Sequence, residues 1–355
     1  MNPYSSLPPT AFWSRSSGRN YTGEGLVRSA RALLSPGDRV VSAGSCFAAE
    51  LVPYLEAQSY EYVRTEYTNH LFREIEAENF SYSKFSAGYG NIYTARQLLQ
   101  LVQRCLGTFE PIESVWRAGD LFIDPFRPGL RYASRSMREF ELLRKQHLDA
   151  CVKAFQNCDT LIFTLGLTEA WRSSEDGAVF PACPGTVAGE FDSSRHEFVN
   201  FSTAEVVEDT RKAIVLLRTL NSKLRIILTV SPVPLVATAS GNHVVPATMY
   251  SKSVLRVAAE EIARTTDDVT YFPSYEIVTG PHLGLDRFED NRRSVKRECV
   301  DEVMRIFFMH CDLPGARPAE VRESAAKQID AAELSKALSA AECEEAMADA
   351  VAPNS

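Results

Sequence analysis

The sequence predicts an α/β protein: a three-layer α/β/α sandwich on a mostly parallel sheet. Three observations lead there. From residue 136 onward, helical stretches alternate with short apolar strands in the order helix, strand, helix, strand, helix, strand, helix. Strand candidates such as DTLIFTLG (159–166) and LRIILTVSPVP (224–234) read as buried strands, the pattern of strands covered on both faces rather than wet on one. A separate strand–turn–helix unit stands near the N-terminus, over 35–58.

The elements are taken in chain order. Residues 1–34 are rich in Pro, Ser, Tyr and Gly and read as an arm packed on the core. In 35–58, PGD is a turn, RVVSA a strand, GSC a sharp break and FAAELVPYLEAQ a helix, with Pro53 in its first turns or kinking it. Residues 59–96 are irregular and aromatic-rich. TARQLLQLVQRCLG (94–107) is an amphipathic helix capped by Thr94. Turns and one or two short strands fill 109–130. A long helix covers 136–158, a buried strand 159–166, and a loop 170–202. Thr203 opens a helix to 223, and a strand comes next over 224–234. The series closes with a helix at 251–266, a strand at 269–278 and a last helix at 294–310. This gives one domain over 35–315 and an Ala/Glu-rich tail, 316–355, to which no chemistry is assigned. In such sheets functional groups collect at the carboxyl ends of strands. That places Ser42–Ser45, Gly166–Glu169, Ser231–Pro234 and the segment after Ile277 on one rim.

Composition narrows the function. The 355 residues are 45% hydrophobic, enough for a large core, and carry a formal net charge of −8. An acidic chain whose densest basic stretch is RSVKR is not expected to bind nucleic acid. No apolar run approaches the roughly 20 residues of a membrane span, so no membrane insertion is expected. The N-terminus lacks a basic region followed by an apolar one, which points to a cytoplasmic protein. Eight cysteines without a C-x-x-C pair read as reduced, mostly buried thiols. Six histidines without ligand spacing argue against a metal, and no Gly-rich phosphate loop points to a cofactor. Oligomeric state leaves no signal.

Ser45 stands at the first turn. A serine between strand and helix exposes its Oγ and faces amides that can receive an oxyanion. The same position suits a plain helix N-cap, and both readings stand on the local pattern. Cys46 beside it is either a rival nucleophile or a small buried hydrophobe.

The string Gly44-Ser45-Cys46-Phe47-Ala48 is the signature that names the GSCFA family. Seven further segments agree in order: NPYSSLP, SAGYGNIYTARQL, DPFRP, FTLGLTEAW, TVSPVPL, YSKSVLR and YFPSYEIV. The chain therefore resembles that family from about residue 2 to about residue 310, and through it the SGNH/GDSL hydrolases, flavodoxin-like esterases and O-acyltransferases. The resemblance implies Ser45 as nucleophile and a backbone amide from Gly90, with Asn91 beside it, unless Gly88 and Gly90 only shape a turn. Where SGNH enzymes carry Gly-x-Asn, this chain has Gly166-Leu167-Thr168. Thr168 is then an oxyanion donor, a contact for a substrate hydroxyl together with Glu169, or a helix cap. Where they carry Asp-x-x-His, it reads Asp290-Asn291-Arg292-Arg293. Arginine stays protonated and cannot be a base near neutral pH. The base is then sought among the rim histidines: His243 first, with Asp290 orienting it, and His282 second. His196, in the long loop, and His70 stand behind them. Arg293 either binds an anionic group of the substrate or pairs with Asp290 or Glu289. Ser231 and Arg127 read as structural.

The implied function is acyl-ester chemistry through an acyl-enzyme at Ser45. The substrate is a small-molecule or glycan ester, and water or a sugar hydroxyl accepts the acyl group. A second class stays open: a non-catalytic carbohydrate-binding or scaffold protein on the same fold. An imidazole on Ser45 favours the first, an open aromatic groove the second.

Overall fold

A computed structural model describes residues 2–29, 31–58, 60–66, 84–130, 132–283 and 286–312. His70 and the 316–355 tail lie outside the described residues.

The central sheet is parallel, with strands β1 (Arg39–Gly44), β2 (Glu61–Tyr62), β5 (Thr160–Leu165), β9 (Arg225–Val230) and β10 (Val269–Tyr271) in the order β10-β9-β5-β1-β2. Register pairs Gly44 with Thr164 and Leu165 with Val230, so the carboxyl ends of β1, β5 and β9 are level. Strand side chains alternate between two faces. Val41, Phe163 and Leu228 enter one apolar cluster, while Val40, Ile162 and Ile227 enter the other. The first face is covered by α3 (Ala95–Cys105), α4 (Met137–Asn157), α5 (Thr203–Leu220) and α6 (Val244–Thr265). The second is covered by α2 (Cys46–Glu56), α7 (Ser274–Thr279) and α8 (Arg297–Met309). The three-layer α/β/α expectation is met. Each fully buried Phe or Leu of these clusters contributes about 1.5–3 kcal/mol of transfer free energy.

The N-terminal segment carries short 3₁₀ turns and one helical turn, α1 (Trp13–Ser16). Its end is tied to the end of α8: the Leu33 N–H donates to the His310 carbonyl at 2.8 Å, and Asp312 N–H to Leu34 at 2.9 Å. Residues 109–130 hold the antiparallel pair β3 (Trp116–Ala118) and β4 (Leu121–Ile123), as expected.

Helix α3 starts where the sequence placed it. Thr94 Oγ1 accepts from the Gln97 amide at 3.2 Å, and Gln97 Oε1 accepts from the Thr94 amide at 2.9 Å. Other boundaries differ. Helix α5 is capped by Ser202, not Thr203, because Glu205 stands three residues on and closes a capping box with Ser202. Helix α6 begins at Val244 rather than 251: Pro246 falls in its first turn, where a missing N–H is harmless. Strand β10 ends at Tyr271, since Pro273 cannot donate to the ladder, and Ser274–Thr279 is helical. The expected 170–202 loop is instead a three-stranded antiparallel sheet of β6 (Glu169–Ser173), β7 (Val179–Phe180) and β8 (His196–Asn200), in the order β7-β6-β8.

Candidate functional site

At the end of β1 the backbone turns sharply. Gly44 has φ of 140°, and a Cβ there would collide with the Thr164 carbonyl oxygen, so only glycine fits. Ser45 then occupies the N-cap position of α2, with its amide donating to Thr164 O at 3.3 Å. Its side chain makes no capping bond. The residue is 3% exposed, and its Oγ is buried without any hydrogen-bond partner. A buried hydroxyl left unpaired costs about 1–3 kcal/mol, so this placement needs a reason other than stability. The first amides of a helix have no intrahelical partner and point toward this end.

The wall facing Ser45 comes from two segments. In the first, Gly90 has φ of 66° and makes the turn that brings Ile92 N–H to the Gly44 carbonyl at 2.7 Å. Asn91 is buried beside it and lines a small cavity of about 30 Å³ with Arg104, Arg127 and His147. In the second, the Gly166 and Leu167 amides both donate to Tyr93 O, at 2.9 and 3.0 Å. A Cβ on Gly166 would stand 3.0 Å from Ser45 Cβ and 3.1 Å from Tyr93 O, so Ser45 packs directly on this glycine.

Buried charges hold the first segment. Glu66 Oε2 accepts from the Gly88 amide at 2.7 Å and contacts His147 Nδ1 at 2.8 Å, while Arg127 donates to Gly88 O at 3.3 Å and to Asp124 at 2.9 Å. Burial alone would raise the Glu66 carboxyl, but His147, Arg127 and the Gly88 amide outweigh it and pull it down to about 2. Asp124 is likewise brought to about 2, burial being outweighed by Arg127 and Arg104. Burial first, then Arg127, push His147 down, so the imidazole is neutral at pH 7 and Arg127 is the cation that faces Glu66. Arg127 is therefore a structural residue, as its sequence setting suggested.

Thr168 corrects an expectation. It is fully buried, its hydroxyl donates to Asn200 Oδ1 at 2.6 Å, and its amide donates to Ser251 Oγ at 3.0 Å. The hydroxyl is thus directed to β8. The chain runs on from it into strand β6, so Thr168 does not cap a helix. Glu169 accepts from Thr238 Oγ1 at 2.9 Å, and burial raises its carboxyl above the ordinary range. It lines a groove of about 200 Å³ with Tyr93, Leu167, Trp171, Phe180, Phe198 and Leu235. Trp171 meets Phe191 and Phe198 edge-on at 5.2 and 5.9 Å.

Lys252 was missed by sequence reasoning. It is 1% exposed, and its Nζ donates to the Gly166 carbonyl at 2.7 Å, one hydrogen bond from the glycine on which Ser45 packs. The signal was present: Lys252 shares one helical face with Leu255 and Ala259, both in the core, at spacings of three and seven.

A model of the GSCFA family matches residues 39–307. The chain belongs to the GSCFA family. No curated protein matches it. The match runs from β1 into α8, so the GSCFA portion contains the turn at Ser45, Gly166 and Lys252, and leaves the N-terminal segment outside.

Within the GSCFA portion, among the described residues, none of the other proposed site residues hydrogen-bonds Ser45 Oγ. His243 is exposed and is the N-cap of α6, with Nδ1 accepting from the Val245 amide at 3.1 Å. The nitrogen that Asp290 would orient is therefore occupied by the helix start. Asp290 is exposed in the 289–294 turn, where Arg293 N–H donates to Asn291 Oδ1 at 2.9 Å. His282 packs on the Tyr21 ring at 4.5 Å, and burial, then Arg287, lower its pKa. His196 is buried in β8 against Glu113 at 2.9 Å. Ser231 Oγ accepts from Val233 N–H at 3.3 Å and shapes its loop. Among the described residues, no imidazole hydrogen-bonds Ser45, and no group of three His, Cys, Asp or Glu side chains is placed to hold a metal ion.

Proposed function

We propose that this protein carries out acyl-ester chemistry at Ser45, as a hydrolase or O-acyltransferase on a small-molecule or glycan ester. One observation carries the reading: a buried serine hydroxyl with no hydrogen bond, at a strand-to-helix turn that only glycine permits, before the amides of a helix start. A nucleophilic serine needs a hydroxyl not committed to another hydrogen bond and nearby donors for the developing oxyanion. The order of the motifs, similar to the SGNH hydrolases, supports the same chemistry. The adjacent groove suits a neutral acyl or glycosyl group: among the described residues, Glu169 is the one acidic side chain lining it and no cationic side chain does. Free thiols at Cys105, Cys151, Cys158, Cys183, Cys299 and Cys311 fit a reducing, cytoplasmic setting. Among the described residues, no helix is long and apolar enough to cross a membrane.

The test is covalent labelling with a fluorophosphonate, read by intact mass beside Ser45→Ala. A single adduct, lost in the variant, is expected. Folded protein that takes no adduct would end the reading. The aromatic lining of the groove favours one alternative, a non-catalytic glycan-binding protein. Quenching of Trp171 fluorescence by neutral oligosaccharides, in protein that does not label, would be its result.

A further inference from the structure

We propose that Lys252 is the proton acceptor for Ser45, so that the site is a serine–lysine pair; this rests on the acyl-ester reading above. Three observations on the structure converge on it. The Ser45 hydroxyl is sequestered and makes no hydrogen bond to any group. No imidazole reaches it among the described residues, and the residue at the expected histidine position is Arg293, which cannot take a proton. Lys252 is one of the largest side chains fully removed from solvent, and its Nζ meets the carbonyl of Gly166, the residue whose Cα face is covered by Ser45 Cβ.

The surroundings fix the lysine at this point. Ser251, its neighbour, accepts from the Thr168 amide, and Lys252 reaches the carbonyl of Gly166, so adjacent residues of one α6 turn grip the segment that leaves β5. Leu167, the residue after Gly166, belongs to an apolar cluster with Tyr93, Leu235 and Ala247. Lysine amines serve as general bases in their neutral form. Proton transfer requires Nζ to exchange its bond to Gly166 O for one to Oγ of Ser45, the residue packed on that glycine.

The step balances without any further reagent. The lone pair of the neutral amine takes the Ser45 hydroxyl proton as Oγ forms its bond to the acyl carbon and the carbonyl π pair moves onto oxygen. Collapse re-forms the carbonyl and breaks the carbon–oxygen bond of the alcohol, which leaves with the proton from the ammonium. In the second half the amine takes a proton from water or an acceptor hydroxyl. That oxygen bonds the acyl carbon, the Ser45 Oγ–carbon bond breaks, and the proton returns to Oγ.

The experiment compares fluorophosphonate labelling rates of the full chain, Lys252→Arg and Lys252→Gln, each checked for folding by circular dichroism and thermal melting. Both substitutions keep a donor for the Gly166 carbonyl, and neither supplies a base. General-base assistance is worth about a hundredfold or more, so a fall of that size is expected in each folded variant. A fall of less than tenfold in either one would overturn the assignment and leave Lys252 as a clamp on Gly166. The two readings separate cleanly. Variants that label as fast as a wild type whose adduct depends on Ser45 sink the lysine alone, whereas a wild type that never labels sinks both.

Discussion

Glu66→Gln tests how the rim is held in place. The substitution keeps the shape and leaves an oxygen for the Gly88 amide, 2.7 Å away, but removes the carboxylate that faces Arg127 and His147. Its size comes from proton linkage. Glu66 is lowered from 4.5 to about 2 in the folded protein. A group depressed in this way contributes stability that is fully present above its unfolded pKa and is lost as pH falls through the folded value. At about 1.4 kcal/mol per pKa step, the shift corresponds to roughly 3 kcal/mol at most. Part of the lowering comes from His147, which burial keeps neutral at pH 7, so we take about 2–3 kcal/mol as the neutral-pH loss. The loss should shrink to about 1 kcal/mol at pH 3, where most of the unfolded carboxyl is already protonated and the folded one is not. Urea unfolding at pH 7 and at pH 3 measures both. A variant as stable as wild type at pH 7, or a deficit equally large at both pH values, would refute the buried-ion account of this loop.

Ser45→Ala should leave stability unchanged or raise it by up to about 1 kcal/mol while abolishing the adduct, because it deletes a buried hydroxyl with no partner; a large loss on thermal melting would mean that the hydroxyl is structurally bonded. Gly166→Ala should cost about 1–3 kcal/mol and slow labelling, since its Cβ would press on Ser45 Cβ at 3.0 Å and Tyr93 O at 3.1 Å; unchanged melting and labelling would show that the two segments separate freely. Glu169→Gln should stabilise the protein at pH 7. Burial raises this carboxyl above 4.5, so its contribution is fully present below the unfolded pKa and lost as pH rises through the folded value. The gain should vanish below about pH 4, and a gain that persists there would contradict a buried carboxylate.

Much of the fold was legible because continuous apolar runs have few solutions. β1, β5 and β9 are buried on both faces, and their neighbours α4 and α5 show helical spacing, which together fix strand, layer and direction. The errors have local physical causes. Ser202 and Thr203 are both capping residues, and the choice is made by Glu205, whose side chain reaches back only to Ser202. The strands β6, β7 and β8 are short, and Trp171 stands opposite Phe180 on one side and Phe198 on the other, a pairing the one-dimensional pattern does not display. His243 looked like a rim loop residue because GNHVVP carries loop composition, yet Pro246 is compatible with a first helical turn, and that turn recruits the imidazole as its cap.

The site was less legible for a deeper reason. Ser45 and Gly44 announce themselves within five residues, because a strained strand-to-helix turn is a local object. The remaining groups on this rim are defined by what reaches across from other elements. Thr168 comes after β5 where an oxyanion donor was expected, but β8 claims its hydroxyl through Asn200, and the Phe201 amide donates to its carbonyl at 2.8 Å. Once the β6–β8 sheet is attached there, Thr168 is turned away from the serine. The same segment is then gripped from the opposite side by α6, with Ser251 on the Thr168 amide and Lys252 on the Gly166 carbonyl. Turning the Thr168 hydroxyl toward Ser45 would give up its bond to Asn200 Oδ1, while Phe201 and Ser251 hold the Thr168 backbone in place. Lys252 is the titratable side chain that α6 buries against Gly166, which is why the proposed proton acceptor is sought there.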